Sequence, residues 1–329
     1  MRRTLILATL LAAACLLPLC ACDQGQQSTP AEQTPAPIEV LDKTTPENGA
    51  AAEPEPEPEQ EPEPEPEEPA FDTTAPVTTQ TADSGVTVTA PEGFLDTAAF
   101  QRVEDEIAAL TESGYHVGVV MRDLATGNSI TYNTDERLYP ASSIKATFCA
   151  AACEANGGPG GSAATMEQCL VYSSNEAFEE LIGTYGLYMH AAWLQAHGAP
   201  DAASDADYWY YPDISAGELA AAWEEIYRYG TSGEAGGTEL AGYLGRTESS
   251  PIGELLRGEY EVWSKPGWFP DNGELVATND AGIVFSDCGA YEMVVMTSIS
   301  SNLDGLLPLI DALNAAHGTM CDGATDSLR

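Results

Sequence analysis

The chain has 329 residues, 12 lysines and arginines against 52 aspartates and glutamates, and a formal net charge of −40. That length allows one large or two ordinary domains. So acidic a chain lacks the electrostatic footprint of a nucleic-acid binder or of a protein drawn to an anionic membrane surface.

Arg2 and Arg3 precede an apolar run from Leu5 to Leu19, a signal-peptide pattern too short for a comfortable membrane span. The run closes on Leu19-Cys20-Ala21-Cys22, which resembles a bacterial lipoprotein box with small Ala21 before the cysteine to be acylated. Residues 1–22 are therefore expected to be a lipoprotein signal, with Cys22 lipidated; an ordinary cleaved signal is the alternative. Residues 23–94 carry a Glu-Pro repeat from Glu53 to Pro69 and no apolar periodicity. Like charges repel and proline favours extended backbone, so this stretch reads as a disordered, solvated spacer. It holds 17 acids and one base, or −16. Residues 95–329 hold 35 acids and 9 bases, or −26, so the expected domain over 95–323 is itself acidic; 324–329 read as a tail.

In that region, Phe100, Val103, Ile107 and Leu110 mark one face of a helix over about 97–113. A strand from His116 to Met121, a turn at Ala125–Asn128 and a second strand at Ser129–Tyr132 follow. A helix then begins at Ser142-Ser143-Ile144-Lys145, after Pro140 and before an apolar run of good helix formers. Short helices are predicted near 164–171, 175–184 and 186–197, with a polar, aromatic loop from Asp201 to Asp213. Helices near 215–229, 235–244 and 251–257 come next. Three strands, Glu259–Lys265, Glu274–Phe285 and Tyr291–Ser298, and a helix from about Leu303 to His317 close the domain. That order predicts an α+β fold: an antiparallel five-stranded sheet formed by both chain ends, flanked by helices, with a helical subdomain inserted.

Five cysteines fall in the domain. In an exported chain they can pair. Cys288 opens the approach to the last strand and Cys321 follows the helix running back along it, so a Cys288–Cys321 bridge is expected. Cys169 is expected to bond Cys149 or Cys153. No metal site is read from the sequence, because His116, His190, His197 and His317 lack ligand-like spacing. No cofactor is implied either.

Three short stretches carry the chemistry. On a helix, residues three apart share a face, so Lys145 stacks beside Ser142 while Ser143 points elsewhere. An adjacent amine can take the proton of a serine hydroxyl. Tyr172-Ser173-Ser174-Asn175 lies where one helix ends and the next begins, and Ser264-Lys265-Pro266-Gly267-Trp268 lies on a strand. The chain has only three lysines, Lys43, Lys145 and Lys265, and both that fall in the domain fall in these stretches. Lysine can lose its proton when buried and arginine effectively cannot. Two neighbouring ammonium groups disfavour each other's charge, so one of them, read as Lys145, is expected to be neutral near pH 7.

Together the stretches resemble the S-x-x-K, S-x-N, K-x-G pattern of serine β-lactamases and penicillin-binding proteins. The region from Phe94 to Cys321, with Thr278-Asn-Asp-Ala-Gly-Ile-Val-Phe after the lysine strand, resembles class A β-lactamase-like serine hydrolases in element order. The resemblance implies that Ser142 is acylated, that Lys145 accepts its proton and that Ser173 relays a proton to the leaving nitrogen. It implies that Asn175 holds the substrate's amide side chain and Lys265 supplies positive potential. It also implies an oxyanion hole from the N–H groups of Ser142 and Trp268, next to Gly267. Departures are equally informative. Ser174 stands where the family has aspartate, and Pro266 where it has a hydroxyl residue. Only 31 positions separate Ser142 from Ser173, about half the usual distance, which implies a more open cleft. The 199–213 loop lacks the Glu-x-x-Leu-Asn signature that places a water-activating glutamate, and none of Asp201, Asp205, Asp207 and Asp213 is in an equivalent position. The expectation is a monomeric, extracytoplasmic, lipid-anchored acyl-hydrolase that deacylates slowly. Its partner would be a β-lactam or peptidoglycan-peptide-like substrate, and the lipid anchor its only membrane contact. The alternatives are a D-alanyl peptidase or other peptidoglycan-directed hydrolase, and a non-catalytic cell-wall-binding lipoprotein.

Overall fold

The computed structural model describes residues 71–321. The expected signal with Cys22, most of the spacer and the 324–329 tail lie outside the described residues. Strands β1 (Val77–Thr81) and β2 (Thr87–Pro91) open the domain, followed by α1 (Ala98–Glu112), β3 (Val117–Asp123), β4 (Ser129–Tyr132) and β5 (Arg137–Leu138). A helical block comes next: α2 (Lys145–Asn156), α3 (Ala163–Leu170), α4 (Asn175–Tyr185), α5 (Leu187–Ala196) and α6 (Pro200–Ala206). It continues through the short β6 (Ile214–Ser215) into α7 (Ala216–Thr231), α8 (Ala235–Leu244) and α9 (Pro251–Leu256). Then β7 (Glu261–Phe269), β8 (Ala277–Ser286), β9 (Gly289–Thr297) and α10 (Leu307–Cys321) complete it.

The main sheet runs β1-β2-β4-β3-β9-β8-β7 and every pairing in it is antiparallel. The predicted class and the joining of both chain ends hold, since β3 pairs with β9 along its whole length. The strand number is seven, not five, because β1 and β2 lie inside the stretch read as spacer. Val86, Val88 and Ala90 alternate inward with the period-two pattern of a half-buried strand. Gly85, at φ +87°, turns the hairpin, and Thr79–Thr89 and Thr81–Thr87 hydroxyl pairs, each at 2.9 Å, tie its outer face. Threonine-rich composition hid three apolar residues. The second difference is α6, a helix where a loop was expected: Pro200 opens it at a first-turn position, and the Glu218 carboxylate accepts from the N–H groups of Asp201 and Ala202.

The sheet separates two cores. On one face, Val119, Met121, Tyr291, Met293 and Val295 pack with Phe94, α1 and α10. On the other, Val120, Val294, Met296 and Ile283 pack with the helical block. Helix ends follow local rules: Thr97 caps α1, Ser174 caps α4, and Ser215 with Glu218 forms a capping box on α7.

The expected bridges are not formed. Cys149, Cys153 and Cys169 are buried free thiols, with Cys149 Sγ and Cys169 Sγ 4.0 Å apart, about twice a disulfide bond. Cys288 in the β8–β9 turn is also a free thiol, and Cys321 Sγ instead donates to His317 O at 2.8 Å. Among the described residues no helix is long and apolar enough to cross a membrane.

Phe94 is fully buried and meets Phe71 and Phe100 edge-on, with ring centroids at 5.7 and 6.0 Å. Phe94→Ala should cost about 3–5 kcal/mol of unfolding free energy, read from the denaturant midpoint. An unchanged midpoint would mean that the 71–94 segment is not part of the cooperative fold.

Candidate active site

Ser142 sits in a single 3-10 turn, Ala141–Ile144, that runs straight into α2. Buried Asn279 on β8 holds the approach: its Nδ2 donates to Tyr139 O and Pro140 O, both at 3.0 Å, while its Oδ1 accepts from Thr297 N at 2.9 Å. Ala141 is thereby kept at φ +46°, a left-handed conformation unusual for alanine. Ser143 is fully buried and its hydroxyl donates to Pro140 O at 2.8 Å. Ser142 is only partly buried, so of the two serines it is the one with surface in contact with solvent.

Strand β7 lies against this turn at Gly267. A Cβ there would stand 2.5 Å from Ser143 N and 2.8 Å from Ser142 N, and closer still to Pro140 O. Glycine is what lets the strand reach the backbone of Ser142. Two positions earlier, Lys265 is fully buried, and its Nζ donates to Ser173 Oγ at 2.9 Å and Pro266 O at 3.2 Å. Burial, then the nearby charge of Lys145, pushes the Lys265 amine down to about 7. Fully buried Asp280 on β8 is pushed up to about 6 by burial, against hydrogen bonds from Ser250 Oγ and the N–H groups of Ile252 and Ala281.

Lys145 is equally buried. Its Nζ donates to Ser173 O and Asn175 Oδ1, both at 2.7 Å, and to Ser174 O at 3.3 Å. Burial lowers its pKa, opposed by nearby negative charge, including Glu176. All three partners belong to the turn into α4, where Ser173 takes φ +59°. Ser174, in the place of the family's aspartate, accepts from Ala177 N at 3.1 Å and donates to Glu176 at 3.0 Å. Its work is capping. The structure thus joins Lys145, Ser173, Asn175 and Lys265 by hydrogen bonds from α2, the α3–α4 turn and β7, and packs Gly267, with Trp268 next along the strand, against the backbone of the Ser142 turn; among the described residues the Ser142 hydroxyl bonds none of them.

Sequence reasoning missed Tyr211. Its hydroxyl donates to Asn175 Oδ1 at 3.2 Å, and its ring packs on Tyr139 and Phe178, with centroids at 6.0 and 5.4 Å. Tyr139 also meets Phe269 at 5.7 Å. The aromatic run Tyr208–Tyr211 was visible as loop composition, but nothing in it singled out Tyr211. The four aspartates of this region make no hydrogen bond to Ser142, Lys145 or Asn175 among the described residues. Asp205 pairs with Arg137 and accepts from Tyr208, and Asp213, exposed to solvent, has its pKa moved upward by partial desolvation of its carboxyl. Away from the site, Glu154, His197 and Glu225 place one donor atom each within 4.8 Å of one another. These donors come from three different segments, which linear spacing could not reveal. Arg228 donates to both carboxylates.

A model of the beta-lactamase enzyme family matches residues 101–157 and 163–315. Among solved structures, a β-lactamase from Desulfarculus baarsii superposes with a TM-score of 0.56 at 14% identity, over 68% of this chain and 99% of that one. One from Streptosporangium roseum gives 0.55 at 18%, over 67% and 98%. The class A β-lactamase of the last common ancestor of Gram-negative bacteria gives 0.54 at 19%, over 66% and 98%. At these identities the likeness is one of fold. No curated protein matches.

Gly267→Ala should force β7 off the Ser142 turn and lower the unfolding free energy by about 1–3 kcal/mol. Gly318→Ala is the control, since its Cβ would meet no atom within 4 Å. Equal midpoints for the two variants would show that the close approach carries no constraint.

Proposed function

The chain belongs to the beta-lactamase enzyme family, and on that premise we propose that it is an extracytoplasmic, lipid-anchored serine acyl-hydrolase. It forms an acyl-enzyme on Ser142 with a β-lactam or related amide and releases it slowly. The observation that carries this reading is a pair of buried lysine amines that meet at the Ser173–Asn175 turn, one of them on the strand that packs at Gly267 against the backbone of partly exposed Ser142. An ordinary helix start has no use for two buried ammonium groups, which cost far more to desolvate than a hydrophobic pair.

Ser142 Oγ attacks the amide carbonyl, and a lysine amine receives its proton; the family resemblance gives that task to Lys145. Negative charge develops on the carbonyl oxygen in the tetrahedral state. The N–H groups of Ser142 and Trp268, brought close where β7 meets the turn at Gly267, are the donors for it. Ser173 returns a proton to the leaving nitrogen. Asn175 can hold the substrate's amide side chain through its Nδ2, because its Oδ1 is committed to Lys145 and Tyr211. Hydrolysis of the ester then needs a base for water. The acids of the 199–213 region are turned to Arg137, to Tyr208 or to solvent, which supports slow release. Pro266 cannot offer a hydroxyl to a substrate carboxylate, and the short 142–173 interval leaves one wall low. Both favour a second reading, a peptidase or other hydrolase acting on peptidoglycan peptides through the same acyl-enzyme.

A fluorescent penicillin should label the purified protein covalently and leave Ser142→Ala unlabelled. After free penicillin is removed, the label should persist for many turnover times of an efficient β-lactamase, whose kcat is commonly about 1–1000 per second. No label, or label lost within seconds, would overturn the reading; cleavage of a cell-wall pentapeptide would decide for the peptidase.

A further inference from the structure

Glu154 lies in the last turn of α2, nine residues after Lys145 and about 14 Å from it along the helix axis. His197 follows the last turn of α5, and Glu225 sits on α7. One donor atom from each lies within 4.8 Å of the other two. The His197 ring is held by an aromatic contact: it lies on Trp193, with ring centroids 4.6 Å apart. Its Nδ1 stands 3.4 Å from Glu225 Oε2 and its Nε2 stands 3.9 Å from Glu154 Oε2. Both separations exceed the usual ~2.7–3.2 Å of an N–H···O bond.

They are the separations of ligands around a shared ion. Zinc takes imidazole nitrogen at about 2.0–2.1 Å and carboxylate oxygen at about 2.0–2.2 Å in tetrahedral geometry, which sets two ligand atoms about 3.4 Å apart. His197 Nδ1 and Glu225 Oε2 already stand so. The remaining separations have to shorten by no more than about 1.4 Å, the difference between 4.8 and 3.4 Å. Trp193 Nε1 donates to Glu154 Oε2 at 2.6 Å, the kind of outer hydrogen bond that orients a ligating carboxylate.

The charges agree. Two carboxylates held this close need a counter-charge. Arg228 supplies one, with Nη2 donating to Glu154 Oε1 at 3.1 Å and to Glu225 Oε1. That guanidinium lies on the outside, its side chain 61% exposed against 11% for Glu225. It brings one positive charge to two negative ones, and it can swing into solvent without burying an unpaired group. Beside the cluster is a cavity of about 470 Å³, walled by His197, Glu225 and Arg228 and by Leu124, Ala221 and Tyr227. It offers an ion a way in and room for a water.

We propose that Glu154, His197 and Glu225 bind a divalent transition-metal ion, zinc by their chemistry, and that Arg228 is the cation that gives way to it. An imidazole with two carboxylates suits zinc, whereas calcium and magnesium take oxygen ligands. Three protein ligands leave the fourth tetrahedral position to a water from the cavity. The exchange replaces one guanidinium charge by the two charges of the ion, and His197 ligates through the lone pair of one ring nitrogen. The ion ties α2, α5 and α7 together at the opposite end of α2 from Lys145. The inference stands apart from the acyl-enzyme reading, since no residue of the Ser142 locus takes part.

The test is calorimetric titration of chelator-treated full-length protein with zinc chloride. One ion should bind at this cluster. H197Q and E225Q should each weaken it by about 100-fold or more, beyond the 10–100-fold typical of a lost outer contact. R228Q, a change at an exposed side chain, should tighten it several-fold. Cobalt(II) in place of zinc distinguishes the chain's cysteines as binders: the cluster should give visible absorption without thiolate-to-metal charge transfer. Zinc bound by neither the unaltered chain nor R228Q, equal affinity in H197Q, or affinity in R228Q no higher than in the unaltered chain would overturn the proposal. So would a cobalt spectrum showing thiolate ligation alone. If E225Q does not fold, R228Q and the cobalt spectrum still decide, because neither alters a buried group.

Discussion

Everything at the Ser142 locus depends on burying two lysine amines together. Neither side chain reaches solvent. Leaving an ammonium in the interior without partners is prohibitive. Lys145 is compensated by three oxygens of one turn, and Lys265 by a hydroxyl and a carbonyl. The compensation fixes the geometry. Because Lys145 must be satisfied, residues 173–175 must arrive at it, and because Lys265 must be satisfied, Ser173 must aim its hydroxyl at β7. Helix α2, the turn into α4 and strand β7 are locked to one another by charge rather than by apolar packing alone.

The rest of the fold supplies rigid walls for that lock. The sheet brings β7 to its edge, beside the Ser142 turn, through an antiparallel ladder in which Gly267 faces Asn279. Asn279 then reaches across to the carbonyls of Tyr139 and Pro140. Strand β8 therefore sets both the distance of β7 and the start of the Ser142 turn. The aromatic cluster of Tyr139, Tyr211, Phe178 and Phe269 closes the other side and carries Tyr211 to Asn175.

Much of this was legible in the sequence, for physical reasons. Helix and strand periodicity located most elements, because each buries one face: Phe100, Val103 and Ile107 on α1 are an example. The rarity of lysine in the domain pointed to Lys145 and Lys265 before any contact was known. What stayed hidden were relations between segments. The β1–β2 hairpin buries only Val86, Val88 and Ala90 among threonines, a weak local signal that becomes a strand only beside β4. Tyr211 gains its role from meeting Asn175 across 36 positions. The Cys288–Cys321 pairing was read from where their elements end, yet Cys288 is a free thiol; Cys169 was expected to bond Cys149 or Cys153, yet Cys149 and Cys169 pack as buried thiols 4.0 Å apart.

The central claim is that Ser142, and no neighbouring hydroxyl, takes the acyl group. The most direct measurement is tryptic digestion of penicillin-treated protein followed by fragmentation of the peptide spanning 138–145, which contains both Ser142 and Ser143. The account predicts the penicilloyl mass on Ser142. The same mass on Ser143 or Ser173, or on no serine at all, would contradict it.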